Sequence, residues 1–170
     1  VIEEMLMPDS AQFGTTALMS SAANGDLGKI RRLLTDGAGI DEENDHKQTA
    51  LMYAANSGHA NAVALLLSAG AQPEHKNRYG NTALIYAAGQ GHLKVVSELL
   101  KSGADIEGRN NNQVTALMEA SVNGHRDVVA YLIEQGAKVR AEAASGETAL
   151  HFAKVGGHQD IIDLLLDKWK

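Results

Sequence analysis

A chain of 170 residues, 44% apolar but only 4% aromatic, is long enough for one compact domain or a short repeat array. Its core must come from Ala, Leu, Val and Ile in small, closely packed helices. A formal charge of −6 and a pI near 5.6 argue against a duplex-binding role, no apolar run approaches the ~20 residues of a membrane span, and zero Cys excludes disulfides, Cys-zinc sites and thiol catalysis.

Residues 1–15 read as a degenerate lead-in. Val1 to Met5 suggest a frayed helical remnant, and Leu6-Met7-Pro8 running to Phe13-Gly14 fits half a hairpin. The opening at Val1 instead of Met suggests a processed product or an excised fragment. From Thr16 a unit recurs. Thr-Ala-Leu begins at Thr16, Thr49, Thr82, Thr115 and Thr148, 33 residues apart each time with no insertion or deletion. Each Thr is an N-cap candidate before an apolar run such as Ala50-Leu51-Met52-Tyr53-Ala54-Ala55, a short first helix. Gly25, Gly58, Gly91, Gly124 and Gly157 suit the left-handed residue that closes it. The next position holds Asp26, then His59, His92, His125 and His158. A second helix follows, with Val63, Leu66 and Leu67 on one face. Gly37-Ala38, Gly70-Ala71, Gly103-Ala104 and Gly136-Ala137 end it, and a polar stretch leads to the next Thr. Helices this short are marginal alone, so only stacking on neighbours buries their apolar faces.

The end copies differ where capping requires. Lys29 and Arg32 stand where the middle copies are mostly apolar. Lys154 replaces the small residue of Ala22, Ala55, Ala88 and Ser121, and Trp169 takes the closing Gly slot. Residues 16–170 therefore read as five repeats with polar outer faces at both ends.

These residues resemble ankyrin repeats over essentially 16–170. The stretch Gly80-Asn81-Thr82-Ala83-Leu84-Ile85-Tyr86-Ala87-Ala88, then Gly91-His92, Val95-Val96, Leu99-Leu100 and Gly103-Ala104, follows the family pattern. Ala fills the family's Pro slot in all five copies, and the first-helix His survives only as His151. The turn Gly is kept at Gly14, Gly80 and Gly146 but is Lys47 and Gln113 elsewhere, at a cost of up to ~1 kcal/mol each if φ is positive there. The resemblance implies an all-α repeat solenoid of five helix-turn-helix repeats joined by β-hairpin fingers. It also implies that a partner protein binds in the concave groove lined by fingers and first helices. Some ankyrin proteins carry a hydroxylated Asn at the positions of Asp41, Glu74, Glu107 and Arg140; none is Asn here, so that modification is not expected.

The groove-facing helix position holds Ser20, Tyr53, Tyr86, Glu119 and Phe152. Tyr and Arg dominate binding hot spots, and they concentrate in the centre. The expected contact residues are Asp45, His46, Tyr53, Arg78, Tyr79, Asn81, Tyr86, Arg109, Asn112 and Glu119. The first finger is acidic through Asp41, Glu42, Glu43 and Asp45, while the second carries Lys76 and Arg78 against Glu74. This pattern would orient a partner more than it would tighten it.

Catalysis has little support. There is no nucleophile elbow, phosphate loop or His-Glu-x-x-His, and the carboxylate pairs sit on exposed segments. The four repeated His sit on helices stacked about 8–10 Å apart and cannot share one metal ion. Each is read as bonding backbone at the start of its own second helix. The expectation is a monomeric protein-interaction module without cofactor, metal, nucleic acid or membrane insertion. The alternative is a structural spacer, or a regulatory segment of a larger multidomain protein or enzyme. Nothing fixes the compartment, with a soluble cytoplasmic chain as the default.

Overall fold

The computed structural model describes residues 14–169. The remnant at Val1–Met5 and most of the lead-in lie outside them. The described residues form ten helices: α1 Ala17–Ala23, α2 Leu27–Thr35, α3 Ala50–Asn56, α4 Ala60–Ser68, α5 Ala83–Gly89, α6 Leu93–Lys101, α7 Ala116–Val122, α8 Arg126–Glu134, α9 Ala149–Gly156 and α10 Gln159–Lys168. Each odd helix packs on the even one after it, and the two rows run α1-α3-α5-α7-α9 and α2-α4-α6-α8-α10. Ala54-Ala55 and Ala87-Ala88 are fully buried, so the short first helices approach closely. The longer second helices bury one stripe each, such as Val63 and Leu66 or Val96 and Leu99. A closer first row bends a solenoid toward that row, which gives repeat arrays their concave face.

Thr16, Thr82 and Thr115 accept from the amides of Met19, Ile85 and Met118 at 3.2, 3.4 and 3.4 Å, as N-caps do. The other two Thr do not. The Thr49 hydroxyl is buried and unbonded, and that of Thr148 pairs with His151 Nδ1 at 3.2 Å. Lys47 and Gln113 do sit at positive φ, 58° and 59°, in the turn that Gly80 makes at 76°.

The repeated His differs from expectation. Its ring reaches back to the preceding repeat, not to its own second helix. Nε2–H of His92, His125 and His158 donates to the carbonyl of Asn56, Gly89 and Val122 at 2.9–3.0 Å. Each acceptor is the last residue of the previous first helix, where carbonyls lack an intrahelical partner. The Gly beside it makes room for the ring: a Cβ on Gly58, already at φ 79°, would lie 2.7 Å from His92. With Asp in this slot, the first repeat uses it locally, Asp26 Oδ1 accepting from its own Lys29 amide at 3.0 Å.

The fingers also differ in detail. Among the described residues they contain no strands, only isolated antiparallel bridges at Arg109–Thr115 and Glu142–Thr148. Each finger is a tight turn of five residues, closed by a bond such as Asn77 N–H to Asn81 carbonyl at 3.1 Å. Lys29, Arg32 and Lys154, in the first and last described repeats, are exposed, as their charge demands.

Candidate functional site

Three buried asparagines build the first three fingers. Asn44 Oδ1 accepts from the amides of His46 and Gln48 at 3.0 and 2.9 Å. Asn77 Oδ1 does the same for Tyr79 and Asn81, and Asn110 Oδ1 for Asn112 and Val114. The fingertips are then joined in series: the amides of Arg78, Asn111 and Ala144 donate to the carbonyls of His46, Tyr79 and Asn112 at 2.9–3.0 Å. The tips are thereby fixed relative to one another, and a preorganised surface loses less entropy on binding.

Carboxylates at the finger bases add a second set of inter-repeat bonds. Asp41, Glu74 and Glu107 accept from the amides of Gln72, Asp105 and Lys138 at 3.1, 2.8 and 2.8 Å. Each of those amides follows the Gly-Ala of the next repeat. Glu43 additionally meets His75 Nε2 at 2.9 Å. At the fourth such position Arg140 lies over the Trp169 ring, 5.1 Å from its centroid, and donates to the Trp169 carbonyl. At this position the tie runs to the residue that follows α10 instead of to a next Gly-Ala.

Tyr53 and Tyr86 are supports, not contact surface. They are only 4% and 3% exposed. The Tyr53 hydroxyl accepts from Asn44 Nδ2 at 3.1 Å, and Tyr86 from Asn77 Nδ2 at 2.7 Å and Gln48 Nε2 at 3.3 Å. Burial pushes the Tyr86 phenol above its ordinary range despite these bonds. Truncating Tyr86 is therefore expected to cost stability before it touches binding. Arg109 is also committed, its Nη1 donating to the Gln113 and Glu142 carbonyls at 3.3 and 2.7 Å. Asn81 is half-buried, with Oδ1 accepting from Asn110 Nδ2 at 2.9 Å. His46 is half-buried beside the first tip.

The remaining expected residues do reach the surface. Asp45, Arg78, Tyr79 and Asn112 lie exposed along the first three tips, Tyr79 by 44%. Glu119 lines an open cleft of about 420 Å³ between the third and fourth fingers. Asn112, Val114, Ala143, Ala144 and Phe152 share that cleft, which lies where the third and fourth fingers meet α7 and α9. Burial alone holds the Glu119 carboxyl above its ordinary range.

The builders of this face, Asn44, Asn77 and Asn110, were not among the expected site residues. Nor were Asp41, Glu74 and Glu107 read as inter-repeat ties. Both sets recur at the same spacing as the Thr-Ala-Leu triplets, so period itself was the available signal.

Comparison with known families gives one consistent result. A family model described as ankyrin repeats in three copies matches residues 2–77 and again 70–143, and a single ankyrin-repeat model matches 145–169. No curated protein matches the chain. Among the described residues no helix is long and apolar enough to cross a membrane.

Proposed function

The chain belongs to the ankyrin-repeat family, and on that premise we propose that it binds a partner protein through the face made by its fingers and first helices. Ankyrin repeats are in general protein–protein interaction modules and are typically non-catalytic. The observation that carries the reading is the second fingertip. Arg78 and Tyr79 stand exposed side by side on a backbone fixed by Asn77 and by the His46 carbonyl. These are the side-chain types that exclude water at the centre of an interface. Asp45 on the tip before and Asn112 on the tip after extend a polar rim to either side. A spacer would have no use for a rigidly presented Arg-Tyr pair.

The test is titration calorimetry with a partner captured from the native source. Arg78→Ala and Tyr79→Ala should each weaken binding by about 1–3 kcal/mol with unchanged melting. Lys29→Ala and Arg32→Ala, on the outer face of the first repeat, should change it by less than ~0.5 kcal/mol. The reverse pattern would remove the finger face from consideration.

A further inference from the structure

We propose that the cleft between the third and fourth fingers is a socket for a basic side chain of the protein partner, arginine above lysine, with Glu119 as counter-ion and the Phe152 ring as flank. The inference rests on the finger face being the docking surface and names the chemistry one part of it selects.

Glu119 occupies the helix position that Tyr53 and Tyr86 hold in the preceding repeats. There the phenol fills the space under the finger, and its hydroxyl takes the Nδ2 of the finger asparagine. In the third repeat that arrangement is broken. Asn110 Nδ2 turns to Asn81 Oδ1 at 2.9 Å, and the Glu119 carboxylate makes no hydrogen bond or ion pair among the described residues. The shorter side chain leaves the cleft open, with a carboxylate partly withdrawn from water at its wall.

A carboxylate in that position has no protein partner, and its partial withdrawal from water makes the charge more costly. Arg109, the cation of the third finger, is committed to two backbone carbonyls. The other walls suit a long basic side chain. Val114, Ala143 and Ala144 offer apolar contact for methylenes, which basic residues bury while keeping the charge in a polar place. Phe152 also lines the cleft, and aromatic rings attract cations. A planar guanidinium can both stack there and hold a carboxylate through two parallel bonds, which an ammonium cannot.

N-acetyl-arginine N-methylamide titrated into isotope-labelled protein provides the probe, with the Glu119 carboxyl carbon and the Phe152 ring protons as reporters. Both signals should shift together and saturate, with a dissociation constant on the order of millimolar for so small a ligand. The citrulline analogue, of the same shape without charge, should bind at least about tenfold more weakly. Glu119→Gln should lose the arginine preference by a similar factor, whereas Lys29→Ala, in the first described repeat, should leave it unchanged. Shifts that grow linearly without saturating, or equal shifts from citrulline, overturn the socket. That result would leave the finger-face reading standing, since it is decided separately by the Arg78 and Tyr79 titrations.

Discussion

The second and fourth fingers hold the same place in their repeats and are built by different means. In the second, Asn77 accepts from two amides of its own turn and donates to Tyr86 beneath it, so finger, helix and side chain form one bonded unit. In the fourth, Ala143 stands in the Asn position and Phe152 in the Tyr position, and neither side chain can bond the turn. That finger rests on backbone bonds, Ala143 N–H to the Glu147 carbonyl at 2.8 Å and Ala144 N–H to Asn112, and on the Arg109 guanidinium. A repeat can thus hold its finger from within or lean it on its neighbour. The open cleft lies beside the finger that lacks the internal brace.

The largest test concerns the core both regions share. Leu84→Ala, beneath the second finger, should cost ~2–5 kcal/mol in denaturant melts, as for other buried truncations. Asn112→Ala at an exposed tip should cost under ~0.5 kcal/mol. Equal losses would mean that inside and outside of the repeat are confused.

The brace itself is the next target. Asn77→Ala leaves the Tyr79 and Asn81 amides without their acceptor and the buried Tyr86 hydroxyl with Gln48 alone, and should cost ~1–3 kcal/mol. Ala143→Asn should do the opposite, supplying an acceptor for the Ser145 and Glu147 amides and adding ~0.5–1.5 kcal/mol. If both substitutions prove neutral in urea melts, the fingers are held by backbone alone and the contrast between them has no energetic content.

The smallest expected effect is the pH dependence of Glu119. Its folded-state pKa is raised by burial, so the folded chain holds this proton more tightly than the unfolded chain. Its favourable contribution is complete below the unfolded value near 4.5 and is lost as pH rises through the folded one. Glu119→Gln should therefore melt higher than the parent at neutral pH, and the gap should close as pH falls below that ordinary value. A gap that widens on acidification would show the carboxylate to be stabilised in the folded chain.

Much of this molecule is legible in one dimension. The spacing of Thr-Ala-Leu marks the repeats, and the Gly-His and Gly-Ala pairs mark where helices end, because only certain residues tolerate the backbone found there. Lys29, Arg32 and Lys154 mark outer faces, since charge on a stacking surface would have to be desolvated. The period also carried information that residue type obscured. Asn44, Asn77 and Asn110 recur in register, yet an asparagine in a polar loop reads as solvated until its amide partners are seen.

The sequence by itself determined the repeat, the five helix pairs of the described residues and the family, because helix length, capping and turn conformation are local matters settled within a few residues. Only the tertiary structure decided what each repeated side chain does. His92 bonds Asn56, Glu74 bonds Asp105, and Arg109 bonds Glu142, all across one repeat. Such bonds depend on how repeats stack, and a period of identical residues does not say whether a side chain points to the copy before it or the copy after. The same holds for exposure. Tyr79 and Tyr86 lie seven residues apart with the same chemistry, and stacking leaves one at a fingertip in water and buries the other beneath it.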